Sequence, residues 1–226
     1  MKQRRNGEVL RETLDLTGKK VIDIGCGDGA LTRMMTKQGA TVIGLEPSEP
    51  QLAKARSAPA IEGAEYLQGS AIDLPFEAGR FDIAVFFNSL HHIPEKGRFK
   101  ALEEAARVLK EDGIVYICEP VAAGPHFELM LPVDDETVVR AHAYEQIKRC
   151  GEAGLKELEE ITYEHRVVRA SYEEFRDRII APNPQRKAAF DALDVDLRQS
   201  FEKLSIKTDE GYTFTQPMRV NVLQKI

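Results

Sequence analysis

The amino-acid sequence predicts an α/β fold with a doubly wound, mostly parallel sheet and helices on both faces. Three observations carry that prediction. Short β-branched runs alternate with helical stretches through the first half of the chain. The run Phe81 to Phe87 is apolar almost throughout, as a strand covered on both faces must be. The first run ends in a glycine-rich turn, VIDIGCGDG, over Val21 to Gly29.

Each element has its own reason. Val9, Leu10, Leu14 and Leu16 fall near helical spacing, which places a short amphipathic helix over residues 8–16. Lys20 to Ile24 is a β-branched strand running into glycines. Leu31 to Gln38 reads as a helix that Gly39 stops. Thr41 to Leu45 is a second strand, Glu49 to Ser57 a helix, and Ala64 to Leu67 a third strand. Phe81 to Phe87 is the fourth strand. Pro94 to Leu109 follows as a helix with Phe99, Leu102, Ala106 and Leu109 on one face, and Gly113 to Cys118 is a fifth buried strand. Glu119 to Leu131 is expected as a long loop carrying His126, Phe127 and Met130. Beyond it, residues 134–150, 171–180 and 184–204 read as helices, with APNP breaking the last two apart. Ile161 to Val168 is β-prone, and TFTQPMRVNVLQ is a closing strand whose Pro217 implies an edge or a bulge. The expected organisation is one domain, 1–226. Its core spans about 18–120, and about 121–226 completes the sheet and adds a small helical cap.

Composition narrows the partners. The 226 residues carry a formal net charge of −6, a sign that repels phosphate backbones and anionic lipid. Nucleic acid and membrane surfaces are therefore poor default partners, although Lys2, Arg4 and Arg5 form a local basic cluster. No apolar run approaches the roughly 18 residues of a membrane helix, and no apolar stretch follows the basic N-terminus as in a signal peptide. The three cysteines, Cys26, Cys118 and Cys150, are odd in number and lack CxxC spacing. That argues against a disulfide framework or a thiolate zinc site and fits a reducing, cytoplasmic setting.

The glycine turn alone is weak evidence. Gly25, Gly27 and Ala30 satisfy a G-x-G-x-x-A pattern open to dinucleotide folds. Asp23 sharpens it, because it stands two residues before Gly25, where a pyrophosphate would lie in a dinucleotide site. At about 4 Å and an effective dielectric near 20, such a like-charge pair costs several kcal/mol. A cationic, phosphate-free ligand suits that carboxylate better. Helix capping by Asp23 is the plain alternative. Glu46, in GLEPS, ends the second strand about 20 residues on, the spacing of a carboxylate that accepts from ribose hydroxyls. A solvated turn Glu before Pro47 is the alternative there.

With these residues in place, five segments in order resemble the motifs of class I S-adenosylmethionine (SAM)-dependent methyltransferases, nearest the UbiE-like, type 11 group. They are VIDIGCGDG, GLEPS, GSAIDLPF, FDIAVFFNSLHHI and EEAARVLKEDGIVYI, covering roughly residues 18–120. The resemblance implies a Rossmann-like, seven-stranded sheet. It implies that Asp23, Gly25, Cys26, Gly27 and Gly29 surround the methionine part of SAM, and that Glu46, beside Pro47, binds the ribose. Ser70, Ala71 and Ile72 would hold adenine; the family usually has Asp where Ser70 stands, and a hydroxyl accepts without charge assistance. Asn88 would lie near the transferable methyl through its backbone. The implied reaction is in-line methyl transfer to a small-molecule acceptor, leaving S-adenosylhomocysteine, by a monomer or homodimer.

His91 is the candidate general base, since histidine titrates near neutrality; packing at the helix start is the alternative for both His91 and His92. Adjacent histidines diverge too far to chelate one metal well, so no metal is expected. Two other functions compete: an NAD-linked oxidoreductase, and a SAM-binding module without turnover. A nucleic-acid methyltransferase would carry Pro-Pro-aromatic where this chain has NSLHHI.

Overall fold

The computed structural model describes residues 1–226. In chain order the elements are β1 (Gln3–Arg4), α1 (Asn6–Thr13), β2 (Lys20–Ile24), α2 (Ala30–Thr36), β3 (Thr41–Glu46), α3 (Glu49–Ser57), β4 (Ala64–Gln68) and β5 (Phe81–Phe87). They continue with α4 (Glu95–Val108), β6 (Leu109–Pro120), α5 (Pro125–Met130), α6 (Thr137–Lys148) and β7 (Leu155–Arg169). The last are α7 (Tyr172–Ile180), α8 (Arg186–Ala192), α9 (Asp194–Leu204), β8 (Ile206–Thr208) and β9 (Gly211–Lys225). Short 3-10 turns lie at Leu90–His92 and Cys150–Ala153. No helix is long and apolar enough to cross a membrane.

The sheet has nine strands in the order β1-β7-β9-β6-β5-β2-β3-β4, with β8 paired to β9. That is two more than the seven the resemblance implies. The extra strands are β1 and β8, of two and three residues, too short for a periodic signal. Strand β2 pairs in parallel with both β3 and β5, β3 with β4, and β5 with β6. From β2 the chain winds outward to β3 and β4, then returns to lay β5 and β6 on the other side. The switch of direction lies at β2 and β5, and the crevice outside their carboxyl ends is where such sheets bind ligands.

The chain divides into two compact units. The larger comprises Val9–Glu119, Val139–Ile161 and Arg219–Ile226. Its core sets Ile22, Ile24, Ile43, Leu45, Phe86, Val115 and Ile117 of the strands against Ala101, Leu102, Ala105 and Val108 of α4. Val21, Val42 and Val85 are equally buried at the alternate positions, so both faces are covered and the strands read as continuous apolar runs. The buried face of α4 differs from the expected one. Phe99 is only half-buried, and Arg98 is 3% exposed. The reason is hydrogen bonding: Arg98 donates to the carbonyls of Ile93 and His91, both at 2.8 Å, and lies 2.8 Å from His142 Nδ1. Phe99 turns aside under the Arg149 guanidinium, 4.7 Å from its ring centre.

The smaller unit comprises Met1–Glu8, Pro120–Val138 and Thr162–Met218. An aromatic cluster of Tyr172, Phe175, Phe190, Phe201 and Phe214, joined by Leu129, Met130 and Leu197, forms its core. Two expectations fail here. The stretch expected as a loop after the fifth strand contains α5, where Gly124 (φ 85°) and Pro125 start a helix that buries Phe127 and Met130. Residues 184–204 form two helices, α8 and α9, broken at Leu193, because Phe190, Leu197 and Phe201 all turn inward from the two pieces.

Candidate cofactor and active site

Strand β2 delivers Asp23 and Gly25 to the crevice, and β3 delivers Glu46 beside them. Asp23 is 1% exposed and accepts a 2.6 Å hydrogen bond from the Thr32 hydroxyl of α2. Burial pushes its carboxyl up from 3.8 to about 6; the Thr32 hydrogen bond opposes that rise, and the Glu46 charge adds to it. Glu46 is 8% exposed; one oxygen accepts from the Gly27 N–H and the other from the Ser48 N–H, each at 2.9 Å. Neither carboxylate is ion-paired with a lysine or arginine. Two buried acids thus share one crevice without a counter-charge. Such an arrangement is unfavourable until a cation enters it. The Cys26 thiol beside them is raised as well, by burial and then by the two carboxylates.

The glycines are required by contacts. At Gly25 (φ 79°) a Cβ would lie 2.6 Å from Ser89 Cβ, and at Gly29 (φ 74°) one would lie 2.5 Å from the Tyr66 ring. Gly27 (φ 57°) differs: nothing stands within 4 Å of its Cβ direction. The turn is packed on both sides and open at its centre, where a ligand can approach the backbone.

The loop after β4 carries Ser70, Ala71 and Ile72. Ile72 is 41% exposed, an apolar surface at the same end of the sheet, and the Ser70 hydroxyl accepts from its N–H at 3.4 Å. A pair on α4 fixes this loop. Glu104 accepts from the Leu74 N–H at 3.0 Å, and Arg107 donates to the Leu74 and Phe76 carbonyls and to Glu104. Hydrogen bonding to Arg107 draws the Glu104 carboxyl down to about 2. Pro47 is exposed, and its carbonyl accepts from Gln68.

Asn88 follows β5 with φ 51°, a left-handed conformation that Asn tolerates better than most residues, and its N–H donates to the Cys118 carbonyl at 2.8 Å. Ser89 ties this bend to β2 by donating to the Ile24 carbonyl at 2.6 Å. Glu119, at the end of β6, accepts from the Ser89 and Leu90 N–H groups at 3.1 and 3.0 Å and binds His91 Nδ1. His91 is 3% exposed, enclosed by that bond and by the Arg98 contact to its carbonyl. Its neighbour His92 is exposed.

The structure therefore gathers Asp23, Gly25, Cys26, Gly27, Gly29 and Glu46 into one crevice at the carboxyl ends of β2 and β3. It puts Asn88 at the end of adjacent β5 and Ser70, Ala71 and Ile72 just past β4. His91 is held inside the turn rather than presented at its surface. Sequence reasoning missed Thr32, Ser89, Glu104, Arg107 and Glu119. Glu119 was within reach, since a carboxylate closing a buried strand is the same signal that singles out Asp23 and Glu46. A cleft of about 340 Å³ lined by Lys20, Thr41, Gly63 and Arg80 opens at the amino ends of the strands, the opposite end from these residues.

The family model described as a methyltransferase domain matches residues 22–117. A ubiquinone biosynthesis O-methyltransferase of Vibrio parahaemolyticus is 35% identical over 111 residues, which is 48% of this chain and 46% of that protein. The chain spans about half the length of the curated relatives it matches. Among solved structures, a provisionally assigned methyltransferase of Bacillus halodurans superposes with a TM-score of 0.68 at 21% identity, covering 97% of this chain and 98% of that one. An S-adenosylmethionine-dependent methyltransferase of Mesorhizobium loti gives 0.54 at 19% identity, covering 94% and 96%. At these identities the likeness is one of fold.

Proposed function

We propose that this chain, whose residues 22–117 match the methyltransferase-domain family model, is a class I SAM-dependent methyltransferase that transfers the methyl group of SAM to a small-molecule acceptor. The single observation that carries the reading is the pair of buried carboxylates without a counter-charge, Asp23 and Glu46, in the crevice at the head of β2 and β3. SAM, when bound, supplies a methyl on a positively charged sulfur that leaves as a neutral thioether.

The residues present fit that ligand. Asp23 and Glu46 supply negative potential for a nucleoside that is cationic and free of phosphate. The Glu46 oxygens each accept one backbone N–H and retain lone pairs for ribose hydroxyls. Ile72 offers an apolar face to a base, and the Ala71 backbone a polar contact beside it. A dinucleotide would set its pyrophosphate against the same two acids, which disfavours the NAD-linked reading. Because the leaving group needs no activation, alignment and exclusion of water can supply most of the rate, an effect worth up to about 7–11 kcal/mol in well-oriented systems. The chain contributes by rigidity. Ser89 locks the bend after β5 to β2, and Glu119 fixes the turn that follows. We assign His91 a positioning role through Glu119 in place of direct proton transfer, because its ring is enclosed.

The net charge of −6 favours a small acceptor over nucleic acid, and three buried cysteines that form no disulfide suit the reducing cytoplasm. The test is labelled-methyl transfer from SAM into a metabolite extract. A product heavier by one methyl, formed only with SAM and lost in Glu46→Ala, supports the reading. Saturable SAM binding with no labelled product from any extract would leave a binding module and overturn the catalytic part.

A further inference from the structure

The smaller unit holds a group of cations that methyl transfer from SAM does not itself require. Along β7, Tyr163, His165, Val167 and Arg169 alternate onto one face. That face is covered within the unit. The Tyr163 hydroxyl donates to Asn6 Oδ1 at 2.8 Å, and Val167 packs against the aromatic cluster. His165 and Arg169 are accordingly half-buried. Strand β1 pairs in parallel with β7, setting Arg4 beside His165, so the basic segment noted in the sequence runs along this edge.

Arg169 makes no ion pair. Its Nη1 donates to the Val168 carbonyl at 2.8 Å, its Nε is shut from solvent without a partner, and no carboxylate lies within ion-pair distance. His165 Nδ1 is likewise enclosed and unpartnered. Burial lowers both groups; at His165 a hydrogen bond with the Arg4 backbone opposes that lowering, and neighbouring cations add to it, Arg178 beside Arg169 and Arg169 and Arg5 beside His165. The one acid facing Arg169 is Glu174, already engaged by the Ala170 N–H and by Arg178 at 3.6 Å.

A half-buried guanidinium without an ion pair is costly, and an anion relieves that cost. With Nη1 committed to a carbonyl and Nε enclosed, Nη2 is the Arg169 nitrogen left to donate to an oxygen of a carboxylate or phosphate. We propose that Arg169, with His165 and Arg5, forms a site within the smaller unit for an anionic group, carboxylate or phosphate, of a small ligand.

The test uses the full chain titrated with malonate and, separately, with inorganic phosphate at constant ionic strength. The readout is the NMR resonance of the Arg169 Nε–H, together with the melting temperature. The expected result is a saturable shift with at least one of the two anions, weakened tenfold or more in Arg169→Gln and less in Arg169→Lys. A response to malonate alone assigns a carboxylate, and to phosphate alone a phosphate ester. Should Arg169→Gln fail to fold, His165→Gln is expected to weaken the same titration. No saturable response to either anion, or one that the variants leave unchanged, overturns the site. Calorimetry with SAM separates the two claims. Intact SAM binding without an anion response sinks the anion site alone, whereas absent SAM binding sinks the methyl-transfer reading and leaves the anion titration legible.

Discussion

Replacing Asp23 by Asn is expected to make the ligand-free protein more stable while making it a worse binder of SAM. The magnitude follows from the burial of Asp23. A carboxyl raised from 3.8 to about 6 is disfavoured in its charged form by about 3 kcal/mol, to order of magnitude. The sign is set by the direction of the rise. The folded protein prefers the protonated acid, so the group costs nothing below its unfolded value of 3.8. Its cost grows as pH rises from there toward 6 and is complete above. Asn removes the charge and keeps an oxygen for the Thr32 hydroxyl. Urea unfolding without ligand should therefore show Asp23→Asn more stable than the parent by about 3 kcal/mol at pH 8 and by about half as much at pH 5, the two converging near pH 4. Calorimetry at pH 8 should show SAM affinity reduced more than tenfold, or more than about 1.4 kcal/mol. A variant less stable than the parent at pH 8, or one that binds SAM as tightly, would refute the reasoning that Asp23 is a buried charge kept for a cation.

Glu46→Ala should weaken SAM binding by more than tenfold by calorimetry, since it also frees the Gly27 and Ser48 N–H groups that shape the turn. Gly25→Ala combines a 2.6 Å clash at Ser89 with a positive φ, and should lower stability by at least about 1 kcal/mol and reduce SAM binding; an unaltered melting curve would contradict the packing described. Glu119→Ala removes the acceptor of two backbone N–H groups and of His91, and a loss of about 3 kcal/mol in urea unfolding is expected. His91→Ala should leave SAM affinity intact and lower turnover at every pH alike; a turnover loss confined to one limb of the pH profile would restore His91 as the proton-transfer group.

The elements with strong periodic signals are legible in the sequence. The helix at Glu49–Ser57 and the strand at Phe81–Phe87 match it residue for residue, because one lies between capping and stop signals and the other is apolar on both faces. What escapes is set by tertiary contact. Strands β1 and β8 are too short to carry alternation and exist only by pairing with β7 and β9. Arg98 is not on the apolar face expected of its helix, and it is buried because the carbonyls of His91 and Ile93 come within reach. In the site, the residue types are visible and their partners are not. Asp23 and Glu46 stand out by position at strand ends, whereas Thr32 is nine residues from the acid it serves and Glu119 closes a strand at a distance of 28 residues from His91. A general base is expected at His91 from its chemistry alone; only the packed structure shows that its ring faces Glu119 inside the fold.

The most direct measurement is calorimetric titration of the full chain with SAM and, in parallel, with NAD at pH 8. Saturable SAM binding that Asp23→Asn and Glu46→Ala both weaken, with no heat from NAD, is the outcome expected of two acids awaiting a cation. Tight NAD binding, or SAM affinity indifferent to both substitutions, would contradict it.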